Sequence, residues 1–316
     1  MGFTTEEWKS RFRLRGEKQT MKIFKSAEEM RFACHAAERA NQRIGLVPTM
    51  GALHEGHLSL VRAAREGGNV VAVSIFVNPT QFGPNEDFSN YPRSFERDCQ
   101  LLEKEGVDLL FAPSLEEMYP DGTLTWVTVE GLSDKLCGRS RTGHFRGVTT
   151  VLAKLFNIVE PDLAFFGQKD AAQLAIIRRM VYDLRFHVGV VVCPIVREPD
   201  GLAMSSRNAY LDPQQRRSAL ALHRSLLEIQ NLFDQGERNP EMLISAGKRI
   251  ASQELAIRLD YLEIVDPDSL EPISTAWGQP PSAVQSSVAR PPRALVAIAA
   301  FVGTTRLIDN IVLDPA

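Results

Sequence analysis

The chain has 316 residues and a formal net charge of −3, from 36 basic and 39 acidic side chains. This length suits one large domain and a smaller one, the near-neutral charge gives no electrostatic reason to expect nucleic acid as a partner, and no apolar run reaches the roughly 18 residues of a membrane span. The 4 cysteines are widely spaced and form no CxxC pair, so zinc-ribbon and redox motifs are excluded and a reduced, cytoplasmic location is expected.

The N-terminus predicts an extension followed by a helix. Residues 1–20 mix basic and acidic side chains without an apolar core, which argues against a signal peptide. We therefore expect an extension of unknown role, with the first domain starting at Met21. Helical periodicity then runs over residues 27–40, with Ser26 as its N-cap.

The next stretch predicts a strand, a glycine turn and a helix in IGLVPTMGALHEGHLSLVR, residues 44–62. The apolar run 44–47 forms the strand, and Pro48 is expected to end it because proline cannot donate to a ladder. The helix begins near the HEGH sequence. This order places backbone N–H groups and the positive end of a helix at the carboxyl edge of a sheet, where anions bind.

His54 and His57 lie three residues apart, so on a first helical turn they share a face. Imidazoles at this position can hydrogen-bond phosphate oxygens and stabilise charge that develops on them. Two alternatives are open. The histidines could simply cap the helix, or they could be half of a metal site, although no third ligand and no cysteine lies nearby in the sequence.

Strand and helix patterns then alternate, which predicts a doubly wound parallel sheet. The predicted strands are 69–77, 107–111, 124–129, 162–166 and 187–192, the predicted helices are 93–105, 148–159 and 170–184, and residues 78–92 and 138–147 are predicted loops.

The pattern changes after Val196. Two helices, 213–235 and 240–255, precede three strands, 260–265, 294–300 and 305–312. Helices followed by strands indicate a separate α+β domain. Residues 278–292 are polar and rich in proline, so we expect a mobile surface loop there.

Two further clusters could bind phosphate. Lys169, in FFGQKDAAQL, sits at a strand-to-helix turn where an ammonium can reach a phosphate or carboxylate oxygen. In AMSSRN, Ser205 and Ser206 offer hydroxyls beside the charge of Arg207. The alternatives are a solvated lysine beside a helix cap at Asp170, and an ordinary serine-rich linker.

These segments carry a resemblance to a known family. PTMGALHEGHLSL resembles the signature of the pantothenate synthetases (pantoate–β-alanine ligases), whose HEGH is a version of the HIGH motif of nucleotidylyltransferases and class I aminoacyl-tRNA synthetases. FFGQKDAAQL, MSSRN and ALVAIAAFVGTTRLIDNI follow in the family's order, and the resemblance extends from Met21 to the C-terminus.

The resemblance implies an α/β fold: a Rossmann-like doubly wound parallel sheet over residues 21–196 and a smaller C-terminal α+β lid domain over residues 197–316, carrying the MSSRN loop. It implies ATP-dependent condensation of pantoate with β-alanine, through a pantoyl adenylate, to pantothenate, AMP and pyrophosphate. Mg²⁺ and a homodimer are also implied, and neither nucleic acid nor membrane is expected as a partner.

The resemblance also assigns roles to residues of this sequence. The catalytic residues are His54, His57, Lys169 and Arg207. The residues that contact ATP are Met50, Gly51, Ala52, Leu53, His54, Glu55, Gly56, His57, Gly167, Gln168, Lys169, Asp170, Val196, Met204, Ser205, Ser206 and Arg207. Gln81 and Gln173 bind the small substrates, and Asp98 lies near the metal.

Two other functions remain open from the sequence. A different nucleotidylyltransferase or acyl-adenylate-forming enzyme would share the histidine motif but should lack the pairing of Gln81 with Gln173. A non-catalytic nucleotide sensor would keep the fold but need not retain the full set of His57, Lys169 and Arg207.

Overall fold

The computed structural model describes residues 20–84, 86–274 and 293–314. The predictions for the N-terminal extension and for residues 278–292 therefore fall outside the described residues, except for residue 20. Among the described helices, none combines the length and the apolar character that crossing a bilayer requires.

A six-stranded parallel sheet forms the larger part of the molecule. Its strands are β1 (Lys22–Phe24), β2 (Ile44–Thr49), β3 (Val70–Ile75), β4 (Leu109–Phe111), β5 (Leu163–Gly167) and β6 (Gly189–Cys193). They lie in the order β1-β4-β3-β2-β5-β6 and all pair in parallel. The chain order reverses at β2, which has β3 on one side and β5 on the other. The predicted doubly wound sheet is confirmed, and β2 and β5 flank the switch point where such sheets bind ligands.

Helices cover both faces of this sheet. They are α1 (Ala27–Arg39), α2 (Glu55–Glu66), α3 (Phe95–Glu105), α4 (Leu115–Met118), α5 (Cys137–Ser140), α6 (His144–Val159) and α7 (Ala171–Asp183). The apolar sides of α1, α6 and α7 pack in one core cluster, and those of α2 and α3 in another. Along β3, Val71 and Val73 face the second cluster and Ala72 the first. This burial on both faces explains the continuous apolar run in the sequence.

Strand β2 continues through Pro48 to Thr49, so the predicted end at Pro48 is wrong. Pro48 is paired with Ser74 of β3, but pairing with β5 is confined to Gly45 and Leu46. Proline therefore stands beyond the last β2–β5 pair, where its missing N–H removes no ladder hydrogen bond.

The predicted strand at residues 124–129 is absent from the described structure, in which this segment is unpaired. Its backbone bonds to a helix instead: the N–H of Val127 donates to Thr150 Oγ1 at 3.0 Å, and Thr149 Oγ1 donates to the carbonyl of Val127 at 2.7 Å. The predicted loop 138–147 is partly helical, because α5 and the first turn of α6 occupy it.

The C-terminal part contains α8 (Pro213–Asp234), α9 (Pro240–Ala251) and an antiparallel sheet of β7 (Ile257–Val265), β8 (Ala294–Val302) and β9 (Thr305–Leu313) in that order. Val296 and Ile298 of the central strand β8 pack with α8 and α9, whereas the alternate residues Leu295 and Ala297 join the core cluster of α1, α6 and α7. The α+β character is confirmed, and a shared core fixes the small sheet to the main body.

Candidate active site

The turn between β2 and α2 holds both histidines of the HEGH motif. His54 is the N-cap of α2, and its Nδ1 accepts a hydrogen bond from the N–H of Gly56 at 3.2 Å. The Nδ1 of His57 accepts from the backbone N–H of His54 at 3.3 Å. The ring centroids lie 4.1 Å apart. The two imidazoles thus form a capping box, so helix capping is part of their arrangement rather than an alternative to it.

These hydrogen bonds fix the tautomer of both imidazoles. Because each Nδ1 is an acceptor, the hydrogen of the neutral ring lies on Nε2. Burial and the charge of Lys169 lower the pKa of His54 to about 4. Burial is the largest cause that holds the pKa of His57 well below its ordinary value, and electrostatic repulsion from His54 and Lys169 adds to it. Near neutral pH the site therefore presents two uncharged Nε2–H donors.

The glycine turn before the histidines is braced from α3. The N–H groups of Ala52 and Leu53 donate to the carboxylate of Asp98 at 2.8 and 2.9 Å, and the N–H of Gly51 donates to Thr49 Oγ1 at 3.1 Å. Gly51 and Ala52 both have a left-handed backbone, with φ of 79° and 50°. These three N–H groups are bonded within the protein, so the imidazoles are the better candidates for anion contacts.

Asp98, which the family resemblance places near the metal, is 1% exposed. Its Oδ1 also accepts a hydrogen bond from Ser94 Oγ at 3.3 Å. With both oxygens bonded to N–H groups, the geometry favours a bracing role over the predicted metal contact. In the described part of the chain, no group of three or more His, Cys, Asp or Glu side chains could hold a metal ion. The alternative metal site at the histidines therefore gains no further ligand there.

Lys169 lies on the other side of the switch point, directly after β5. It belongs to the 3₁₀ turn Gln168–Asp170, which leads into α7. Because β5 pairs in parallel with β2, Lys169 and the HEGH turn follow the carboxyl ends of neighbouring strands. The charge of Lys169 also contributes to the lowered pKa of both histidines. The sequence predicts a helix cap at Asp170, but that side chain makes no capping hydrogen bond.

A cavity of about 860 Å³ opens beside Lys169. Gln173 of α7 lines it, as do Arg207 and Asn310, whereas the two histidines and Gln81 are not among the lining residues. A cavity of this size is typical of small-molecule sites. The cavity and the histidine turn are thus neighbours that meet at Lys169.

Residues 196–207 form a hairpin that packs on the start of α2. The N–H of Met204 donates to the carbonyl of Val196 at 3.0 Å, which closes the hairpin. A Cβ placed on Gly56 would lie 3.8 Å from the Cβ of Met204. The structure therefore brings the MSSRN segment against the HEGH turn, although the two are about 150 residues apart in the sequence.

Arg207 is already bound to a carboxylate in this structure. Its Nε and Nη2 donate to the two oxygens of Asp87 at 3.0 and 2.8 Å. Burial alone would raise the pKa of Asp87, but the hydrogen-bonded guanidinium outweighs burial and holds that pKa below its ordinary value. Ser205 Oγ accepts from the N–H of Arg207 at 3.3 Å, and Ser206 Oγ lies 3.4 Å from the hydroxyl of Tyr91.

The neighbouring acid of the same loop makes a matching pair. Glu86 accepts from Nε and Nη2 of Arg141 at 2.8 and 2.6 Å. All four side chains line the cavity. Neither Glu86 nor Asp87 is a predicted site residue, because their only signal in the sequence is a pair of acids in the loop that follows β3.

Gln81 is held against the histidine turn. Its Oε1 accepts from Asn78 Nδ2 at 3.1 Å, and its Nε2 contacts Met50 Sδ at 2.8 Å. Asn78 is 1% exposed and also donates to the carbonyl of Gly147 at 3.1 Å. Gln81 therefore lies at the turn after β2, whereas Gln173 lies at the cavity.

Comparison with known proteins identifies the family. The sequence model of the family described as pantoate-beta-alanine ligase matches residues 22–312. The chain belongs to the pantoate–β-alanine ligase family. A pantothenate synthetase of Koribacter versatilis (strain Ellin345) is 56% identical over 296 residues, which cover 94% of this chain and 97% of that protein.

Solved structures of pantoate–β-alanine ligases share the fold. The pantothenate synthetase of Thermus thermophilus matches with a TM-score of 0.82 and 46% identity, over 92% of this chain and 99% of that one. The pantoate–β-alanine ligase of Francisella tularensis, in a complex with β-γ ATP and β-alanine, matches with a TM-score of 0.71 and 32% identity, over 94% and 100%. The predicted family, fold class and ligase activity are confirmed, and the roles of single residues remain predictions.

Proposed function

We propose that this pantoate–β-alanine ligase works in two steps within one site. In the first, the pantoate carboxylate attacks the α-phosphorus of ATP, which forms pantoyl adenylate and releases pyrophosphate. In the second, the amine of β-alanine attacks the acyl carbon, which forms the amide of pantothenate and releases AMP. Neither step requires a covalent intermediate with the protein, and the site needs no nucleophilic side chain.

The first step brings a carboxylate anion up to a polyanion, so the site must offset that repulsion and the charge that develops at phosphorus. The observation that carries the proposal is that the two imidazoles, whose Nδ1 atoms both accept backbone hydrogen bonds, and Lys169 follow the carboxyl ends of the neighbouring strands β2 and β5. We assign His54, His57 and Lys169 to the phosphates, with Arg207 as a second cation from the hairpin.

We assign the side-chain amides of Gln81 and Gln173 to substrate binding because of where they lie. Gln81 contacts Met50, which belongs to the turn before the histidines. Gln173 lines the cavity, one helical turn beyond Lys169. Two primary amides at these places could hold the hydroxyl and carboxylate groups of pantoate beside the triphosphate. Positioning of this kind can supply up to about 7–11 kcal/mol of barrier reduction in favourable cases.

A magnesium ion would find few protein ligands among the residues that the structure describes. Asp98, the residue predicted to lie near it, uses both oxygens on the glycine turn. Mg²⁺ commonly binds substrate phosphates and water with only one or two carboxylates. We therefore propose that any Mg²⁺ enters with ATP, and we assign no residue of this chain as its ligand.

We propose the domain division at residues 196 and 197, with closure over the adenylate to exclude water. The large sheet precedes this boundary and the small sheet follows it. Because β8 packs both with α8 and α9 and with the core cluster of α1, α6 and α7, we assign the closing movement to hairpin 196–207 and to Glu86 and Asp87 of the loop after β3, rather than to the whole small sheet.

Exchange of labelled pyrophosphate into ATP tests the two-step proposal. We expect exchange that requires pantoate but not β-alanine, because the groups assigned to the first step make no demand on the amine. A nucleotide sensor would show no exchange, and a different acyl-adenylate enzyme would show exchange with another acid only. Exchange that appears only after β-alanine is added would indicate a concerted condensation and would refute the proposal.

The ion pair of Asp87 with Arg207 predicts that removing a charged side chain from the site strengthens ATP binding. If Arg207 binds the triphosphate, it must leave Asp87, so Asp87→Asn should tighten ATP binding. The two side chains are half-buried, and even an exposed pair is worth about 0.2–1 kcal/mol, which corresponds to about a 1.4-fold to 5-fold lower Kd. Calorimetric titration with ATP measures this change. Glu86→Gln is the matched control, because it removes the same charge from the same loop and leaves Arg207 paired. Weaker binding by Asp87→Asn would mean that Asp87 supports ATP directly.

We propose that an exposed apolar segment forms part of a homodimer interface. The unpaired segment 124–129 exposes Leu124 at 88%, and we propose that it contacts a second copy in the homodimer that the family resemblance implies. Sedimentation of the wild type and of Leu124→Asp would test this.

All four cysteines are free thiols, which supports a reducing, cytoplasmic location.

A further inference from the structure

Asn310 is a buried polar side chain of β9 whose hydrogen bonds all reach a distant turn. It is 2% exposed. Its Nδ2 donates to the carbonyls of Gln168 and Lys169 at 3.0 and 2.9 Å, and its Oδ1 accepts from Gln168 Nε2 at 3.0 Å. One side chain of the small sheet thus binds both residues that precede Asp170 in the 3₁₀ turn.

The 3₁₀ turn is three residues long. It links β5 to α7, and the side chain of Asp170 does not cap the helix that follows. Without Asn310 the half-buried carbonyls of Gln168 and Lys169 would each lose a hydrogen-bond partner, which destabilises this conformation of the turn. The backbone from which Lys169 projects is therefore bound by a side chain 141 positions later in the chain.

The preceding residue of β9 holds the opposite side of the site. Asp309 is 3% exposed and accepts from Nη1 and Nη2 of Arg197 at 2.6 and 3.0 Å. Arg197 lies at the base of the hairpin that carries Met204 and Arg207. Two consecutive side chains of one strand thus bind the Lys169 turn and the MSSRN hairpin, which sets the distance between them.

We propose that Asn310 is a positioning residue for adenylate formation, acting through the backbone of Gln168 and Lys169. This rests on the proposed role of Lys169 at the phosphates. The small sheet then has a function in the reaction beyond packing, because it fixes the cation that faces the histidine turn. Asn310 contacts the turn and is not assigned to the substrates, so its effect should be confined to the step that uses Lys169.

The test compares the two half-reactions in Asn310→Ala. Misplacing a reacting group by about 1 Å can cost about 100-fold, so we expect pantoate-dependent pyrophosphate exchange to fall by about 10- to 100-fold. Aminolysis of preformed pantoyl adenylate should be unchanged. Leu313→Ala is the matched control, because Leu313 is a buried residue of the same strand that packs away from the site. It should lower the melting temperature without separating the half-reactions.

A double-mutant cycle with Lys169→Ala shows whether Asn310 acts through Lys169. In the Lys169→Ala background, removal of Asn310 should cause no further loss of exchange, because residues that act as one unit are not additive. Additive losses, or equal losses in both half-reactions, would overturn the proposal. If Asn310→Ala does not fold, Asn310→Asp provides the same comparison, because it keeps the acceptor for Gln168 and sets an anion against the two carbonyls. Absence of exchange in the wild type would instead refute the proposed function.

Discussion

Replacement of His57 with alanine is expected to slow formation of pantoyl adenylate by about 100- to 1,000-fold, the loss commonly seen when one preorganised donor to a developing anion is removed. The Nδ1 of His57 is occupied by the N–H of His54, so its Nε2–H is the atom free to reach a phosphate. Pyrophosphate exchange under saturating pantoate measures the effect.

The same substitution also removes half of a capping box, and that structural cost has to be separated from catalysis. Loss of a cap typically costs about 1 kcal/mol of stability. His57→Glu is the matched variant, because glutamate at this helical position restores the box but presents a carboxylate where the imidazole presents a donor. We expect His57→Glu to recover the melting temperature and to remain inactive. Unchanged exchange in His57→Ala would contradict the catalytic role.

The lowered pKa values give this role a pH signature. Because the pKa of His54 is about 4 and that of His57 is also lowered, acidification from pH 8 should leave both imidazoles neutral well below pH 6.5. The exchange rate should therefore show no histidine titration near 6.5. Stability behaves differently, since histidines of the unfolded chain take up protons below about pH 6.5. The stability that His54 contributes above that pH is lost as the pH falls toward 4. His57, whose pKa is also lowered, contributes a loss in the same direction.

Local sequence patterns predict much of the fold. Buried parallel strands gave continuous apolar runs, as in β3, and glycine, proline and serine marked most helix ends. The pattern failed where a tertiary contact replaced a local preference. Pro48 stays in β2 because β5 pairs only with its first residues, and the segment 124–129 forms no strand because threonine side chains of α6 bond its backbone.

The residues of the site also divide into those that local sequence patterns predict and those that depend on tertiary contacts. His54, His57, Lys169 and Arg207 stand in short motifs, so their types and spacing could be recognised in the sequence. Their supports could not, because each comes from a remote element. Asp98 braces the glycine turn from 45 and 46 residues away, and Asn310 holds the Lys169 turn from 141 and 142. A single sequence gives no periodic signal for such pairs, and a buried polar residue on a strand is equally consistent with other partners.

Replacement of Lys169 with alanine is expected to lower pyrophosphate exchange by about 100- to 1,000-fold, because the site loses the cation that follows β5 beside the two neutral imidazoles. Aminolysis of preformed pantoyl adenylate should change much less, since pyrophosphate has already left when the amine attacks. A defect confined to aminolysis would mean that Lys169 serves the second step and that its assignment to the phosphates is wrong.

The same variant can be tested without any substrate. The charge of Lys169 helps to lower the pKa of both His54 and His57, with burial as the larger cause for His54. In Lys169→Ala the pKa of His54 should therefore rise from about 4 while staying below its ordinary value. An NMR titration of the imidazole resonances measures this change, and Lys154→Ala is the control, because it removes an equal charge that lies over the ring of Tyr119. An unshifted His54 in Lys169→Ala would place the lysine too far from the histidines to share a phosphate with them.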